Sequence, residues 1–157
     1  MDFQRAVSAE ITVADAPTAA DLAAAAAEGY RTVLDLRAPE EPLPAPDRLA
    51  PADEARLAAE LGLHYENVPV RLEQVDDALV RRVGERLAAV EKPVLVHCAH
   101  GRRAGAMVLM HLAVERGLTA PQCLGLAKAM GYDCESQPQL ARLVAQYVER
   151  HSPAYQR

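Results

Sequence analysis

The chain has 157 residues, half of them hydrophobic, and a formal net charge of −5. That length suits a single domain spanning residues 1–157, able to bury roughly 70% of its unfolded surface, and the acidic balance argues against nucleic acid as a partner. With no Trp and one Phe, the core must be aliphatic, built from Leu, Val and Ala.

Short β-like runs alternate with longer helical patterns, which predicts an α/β fold with a short, mainly parallel central sheet flanked by helices. Residues 10–13 form the first extended piece. Thr18 then caps a helix, with Asp21 at its acidic third position, and Gly29 stops it. Residues 32–36 read as a buried strand. Pro39, Pro42, Pro44, Pro46 and Pro51 make residues 38–51 an extended rim loop, with Pro51 opening a helix over 53–61 that Gly62 closes. Residues 65–70 predict a third strand. Residues 73–90 predict one long amphipathic helix, with Val75, Leu79, Val83 and Leu87 at helical spacing. Residues 93–97 are the clearest strand, and helices follow over 104–116, 120–130 and 137–150. The tail after His151 is expected to fray.

Asp2, Arg5 and Glu10 interrupt any apolar run at the N-terminus, so no secretory segment is expected. The longest apolar stretch, residues 22–27, falls far short of the ~20 needed to span a bilayer, so no membrane partner is expected. Cys98, Cys123 and Cys134 are an odd number with no close pair, a poor disulfide framework. A reduced, soluble, cytoplasmic protein is the reading, with its assembly state left open.

The chemistry concentrates in Val94-Leu95-Val96-His97-Cys98-Ala99-His100-Gly101-Arg102-Arg103-Ala104-Gly105. A strand ends at a cysteine, a short Gly-containing loop follows, and a helix begins at once. Unpaired N–H groups at a helix start carry partial positive charge, and a curled loop adds its own, making an anion cradle. Ala99, His100, Gly101, Arg102 and Arg103 are the expected phosphate-binding residues, and Gly101 supplies the torsions that the curl requires. Cys98 sits in that field, which favours a thiolate nucleophile. Arg103 offers a planar guanidinium for two phosphate oxygens.

His97-Cys98-x-x-Gly101-x-Arg103-x-Gly105 resembles the active-site loop of the bacterial phosphatase-like family named after beta-lactamase-hydrolase-like proteins, a branch of the protein tyrosine and dual-specificity phosphatase superfamily. The similarity extends through Ala16-Pro17-Thr18, Gly29-Tyr30-Arg31-Thr32-Val33-Leu34-Asp35-Leu36-Arg37, Glu40-Glu41, Leu61-Gly62-Leu63 and Val68-Pro69-Val70. It implies a protein-tyrosine-phosphatase-like three-layer domain and a phosphocysteine intermediate at Cys98. The expected substrates are phosphorylated proteins, through phosphotyrosine or phosphoserine and phosphothreonine, or small aryl phosphates, with no cofactor. Three departures from the wider superfamily stand out. Only four residues separate Cys98 from Arg103, Ala104 replaces a hydroxyl residue, and Leu72 stands about where an Asp general acid is usual. Glu73, beside that position, is the first substitute for the acid; Asp76 and Asp77 lie further along.

Other readings compete. A rhodanese-like sulfurtransferase would use the same thiolate, and Asp35-Leu36-Arg37 has that look, but His97 before the Cys is phosphatase-like. A non-catalytic anion-binding module would keep the cradle without the acid. His97, Cys98 and His100 lack the fourth ligand that a zinc site wants, so no metal is expected. His97 is expected to orient the loop through a backbone hydrogen bond, and His100 to face solvent or substrate. Asp35 and Arg37 are expected to form a local salt bridge, and Cys123 and Cys134 to be inert core thiols.

Overall fold

The structure is a computed structural model that describes residues 1–131 and 137–156. These group into two compact units, one of residues 1–75 and 85–104, the other of residues 76–84 and 105–157. The first holds a five-stranded sheet of β1 (Gln4–Ala6), β2 (Ile11–Ala14), β3 (Thr32–Asp35), β4 (His64–Asn67) and β5 (Val94–His97), in the order β1-β2-β5-β3-β4. Only β1 runs antiparallel to its neighbour. The mainly parallel α/β architecture read from the sequence is therefore the observed one.

The central strands β2, β3 and β5 are buried along their whole length, which is why their sequences are near-continuous apolar runs. Register places Ala14 and Asp35 on either side of His97, so the carboxyl ends of three strands finish level. Helix α1 (Ala19–Ala27) begins with the expected capping box: Asp21 N–H donates to Thr18 Oγ1, and Thr18 N–H donates to the Asp21 carboxylate. Helix α2 (Pro51–Glu60) has Pro in its first turn, and Ala58 joins Leu22, Val33 and Leu63 in a packed cluster.

Four expectations need correction. Strand β1 has no signal in the sequence, because Gln4, Arg5 and Ala6 are all exposed and carry no apolar alternation. The third strand stops at Asn67; Val68 and Val70 still donate to Asp35 O and Leu36 O, but Pro69 between them has no N–H to continue the ladder. The helix expected over 73–90 is two elements, a 3-10 turn at Leu72–Gln74 and α3 (Asp77–Ala89). Val75 is extended there, and the Asp76 carboxylate accepts the Leu79 N–H at 2.8 Å, the job of a helix cap.

The second unit contains the rest of α4 (Arg102–Arg116), with α5 (Ala120–Ala129) and α6 (Pro138–His151). Residues 152–155 are not frayed, the fourth correction. Ser152 is fully buried and its hydroxyl donates to Leu118 O at 2.6 Å, while Tyr155 Oη accepts the Ala120 N–H. Asp77 is gripped by Arg150 and His151. Cys123 is buried, with its Sγ 3.6 Å from Leu109 O, in the core position expected of it; Cys134 lies outside the described residues. Among the described residues no helix is long and apolar enough to cross a membrane.

Candidate active site

Strand β5 delivers Cys98 to the carboxyl edge of the sheet, where parallel sheets present ligand sites. Residues 98–101 curl, and α4 starts at Arg102, two residues earlier than the sequence suggests. Gly101 adopts φ +95°, the left-handed region, as the curl demands. A Cβ there would lie 3.0 Å from the Phe3 ring, so the loop also needs glycine for space.

Two carbonyls of the loop are bonded elsewhere. Ala16 N–H donates to Ala99 O at 3.1 Å, and His97 Nδ1 lies 3.2 Å from Cys98 O. The N–H groups converge instead on the sulfur: Gly101 N–H donates to Cys98 Sγ at 3.2 Å and Ala104 N–H at 3.5 Å. Donors arranged around one point stabilise an anion brought against it.

Arg103 lies beside this sulfur. Its two terminal nitrogens donate to both carboxylate oxygens of Glu41, at 2.7 and 2.8 Å, and one also donates to Val70 O at 2.9 Å. Glu41 is fixed in turn by the Ala38 N–H at 2.6 Å. Hydrogen bonding to Glu41, and after it the Cys98 sulfur, hold the guanidinium pKa above its ordinary value against burial. Burial pushes the Glu41 carboxyl upward, but Arg103 and the Ala38 N–H outweigh it and leave it below the usual carboxylate range.

Behind the loop sits a closed buried cluster. Arg37 makes a bidentate pair with Asp35 at 2.9 and 3.0 Å and reaches Glu54 at 2.9 Å, so the expected Asp35–Arg37 bridge is present. His97 Nε2 meets the other Glu54 oxygen at 2.6 Å, and Tyr65 donates to Asp35 at 2.7 Å. Asp35, Arg37, Glu54 and His97 are each 0 or 1% exposed. Burial disfavours charge on His97, yet Glu54 and Asp35 prevail and raise its pKa. The Asp35, Glu54 and His97 ligand atoms lie within 4.8 Å of one another. Arg37 already engages both carboxylates, and two cations balance two anions, so the donor set is spent on ion pairs rather than open to a metal.

The remaining predicted residues are accounted for. His100 and Arg102 are exposed on the loop and first helical turn. Glu73 is exposed on the 3-10 turn, and no hydrogen bond among the described residues ties it to the cradle. Asp76 and Asp77 are engaged as a helix cap and an ion-pair acceptor. Sequence reasoning missed Glu41 as the support of Arg103, and Glu54 altogether. Glu54 did leave a signal, since it occupies the buried face of α2 with Pro51 and Ala58, where an apolar residue belongs.

Residues 2–115 match the family described as beta-lactamase hydrolase-like protein, phosphatase-like domain. The chain belongs to that family. It is 24% identical over 127 residues to a beta-lactamase hydrolase-like protein of Agrobacterium fabrum and 27% identical to one of Xylella fastidiosa. Each alignment takes in 81% of this chain but only 29% of the relative, so the chain spans under a third of those proteins. Among solved structures, P. aeruginosa TpbA in complex with pTyr superposes with a TM-score of 0.77 at 22% identity, covering 97% of this chain and 89% of that one. The core catalytic domain of the PP-IP phosphatase SIW14 from S. cerevisiae gives 0.70 at 16% identity, covering 95% and 85%. The fold of this phosphatase-like domain is thus that of the tyrosine and dual-specificity phosphatases.

Proposed function

We propose that this domain is a cysteine-dependent phosphatase that hydrolyses phosphate monoesters. The observation that carries the reading is the convergence of the Gly101 and Ala104 N–H groups on Cys98 Sγ, beside a guanidinium held in place by Glu41. In the first step the Cys98 thiolate attacks phosphorus, the P–O ester bond breaks, and the leaving oxygen takes a proton. In the second, water attacks phosphorus, the P–S bond breaks, and inorganic phosphate leaves the regenerated thiolate. Arg103 and the N–H groups of Ala99, His100, Gly101 and Arg102 hold the non-bridging oxygens through both steps.

Glu73 is the assigned proton donor for the leaving group. Its carboxylate is exposed, whereas Glu40 and Glu41 are tied to Arg71 and Arg103 and held below the usual carboxylate range. The substrate class is a phosphorylated protein side chain or a small aryl phosphate; TpbA with pTyr and SIW14 both belong to this fold and both concern phosphate groups. A nucleophilic thiol favours the reducing cytoplasm as its place of work.

Hydrolysis of a generic aryl phosphate by wild type and Cys98→Ser, with and without vanadate, tests the reading. Turnover that vanishes in the variant and under vanadate supports it. Sulfur transfer from thiosulfate to cyanide without phosphate release would replace it with a sulfurtransferase, and silence in both assays with an anion-binding module.

A further inference from the structure

We propose that Glu54, on α2 and outside the anion-binding loop, is a positioning residue that acts through His97 to set the orientation of the Cys98 carbonyl and so the shape of the cradle. The inference rests on the reading of that loop as a phosphate site and adds to it a residue 43 positions away in sequence.

The argument begins with the two partners of one imidazole. His97 Nε2 faces Glu54 Oε2 at 2.6 Å, and His97 Nδ1 faces Cys98 O at 3.2 Å, with Asp35 Oδ1 at 3.7 Å. A carboxylate and a carbonyl accept hydrogen bonds and donate none, so both ring nitrogens must carry protons. His97 is then an imidazolium, and Glu54 is the anion that holds it so. Among the charged groups around the ring, Glu54 and Asp35 favour the cation and outweigh Arg37, which opposes it. Glu54 comes from α2, Asp35 and Arg37 from the end of β3, and Tyr65 from β4 reaches Asp35. The two anions and two cations leave no net charge in a fully buried site.

That cation has a structural consequence. If His97 were neutral with its proton at Nε2 toward Glu54, the Nδ1 lone pair would face the Cys98 carbonyl and repel it. The carbonyl would then be free to rotate, and the peptide plane it shares with the Ala99 N–H would turn with it. The neighbouring carbonyl is already fixed by Ala16. The His97–Cys98 contact is therefore the second of two restraints that keep carbonyls out of the cradle and N–H groups in.

The test uses the whole chain and two variants. Nuclear magnetic resonance of the histidine ring nitrogens is expected to show wild-type His97 doubly protonated well above the ordinary histidine value of about 6.5. In Glu54→Gln, His97 is expected to lose its proton at a lower pH than in wild type, because its largest charge partner is gone. Binding of inorganic phosphate, expressed as the ratio of variant to wild-type affinity at each pH, is expected to fall roughly five- to tenfold as the variant His97 loses its proton, the difference between a charge-assisted and a neutral hydrogen bond. A folded Glu54→Gln with an unchanged His97 titration, or with a pH-independent affinity ratio of one, overturns the proposal. Should Glu54→Gln fail to fold, the charge-balanced Glu54→Gln/His97→Gln pair is expected to bind phosphate more weakly than wild type at every pH; equal affinity overturns the proposal. Wild type that binds no phosphate removes the phosphate-site reading itself, a result distinct from an unaltered variant.

Discussion

Arg103 and Glu41 face each other fork to fork, with both terminal nitrogens of the guanidinium on both oxygens of the carboxylate. The pair is only partly buried, with side chains 18% and 22% exposed, so its contribution to stability is small beside its effect on orientation. Glu41→Gln keeps the shape but loses the charge-assisted bidentate geometry. A fall in kcat/KM of roughly 10- to 100-fold on an aryl phosphate is expected, with little change in the unfolding midpoint. Steady-state kinetics beside a denaturant curve would check it. Because Glu41 sits below the usual carboxylate range, this support should persist above that range and be lost as pH falls through the depressed value.

Gly101→Ala should damage both folding and turnover. The new Cβ meets the Phe3 ring at 3.0 Å and the residue keeps φ +95°. A loss of about 1–3 kcal/mol is expected. Adding Phe3→Ala relieves the clash but not the torsion, so it should recover only part of that loss. Full recovery in urea unfolding would mean that sterics alone require the glycine.

The buried cluster sets a pH window for stability. His97 has a raised folded pKa, so its contribution is complete below its unfolded value of 6.5 and is lost as pH rises through the folded one. Asp35 has a lowered folded pKa, so its contribution is present above 3.8 and is lost as pH falls through the folded one. Both contribute between those two values. Denaturant midpoints measured across pH should decline on either side of that window. Arg37→Met leaves Asp35 and Glu54 facing each other without their shared cation, and a cost of about 3–5 kcal/mol is expected.

A second ion-pair group serves as the control. Arg86 donates to both oxygens of Glu66 at 2.7 and 2.8 Å and His64 approaches at 2.8 Å; Arg86, then His64, outweigh burial and push the Glu66 carboxyl down to about 2. Arg86 is 41% exposed, however, so solvent screens the pair. Glu66→Gln should cost no more than about 1 kcal/mol, far less than Arg37→Met. Equal losses in the two variants would mean that burial does not set the strength of these ion pairs.

Glu73→Gln tests the proton donor. General acid catalysis contributes typically about 10²–10⁴-fold, and a decrease of that order is expected with an alkyl phosphate, whose leaving group needs the proton. An activated aryl phosphate, whose leaving group departs unaided, should be affected far less. Equal rates for the two enzymes on both substrates would remove Glu73 from the mechanism.

Much of the site could be read along the chain because its chemistry is local. Cys98, Gly101 and Arg103 lie within one short turn between a strand and a helix, and the Thr18–Asp21 capping box and the glycine stops are equally short-range. Local signals failed where a cap competed with apolar periodicity, as Asp76 did in the 73–90 segment, or where a strand had no buried face, as in β1. Glu41 and Glu54 belong to a different category. They reach Arg103 and His97 from 62 and 43 residues away, and although Glu54 falls on the apolar face of α2, nothing in the sequence names the partner of either. Parallel pairing of β3 with β5 sets Asp35 level with His97, and α2 then lays Glu54 against both. A buried carboxylate is stable only where cations meet it, and that meeting is made by strand register and helix packing rather than by neighbours in the chain.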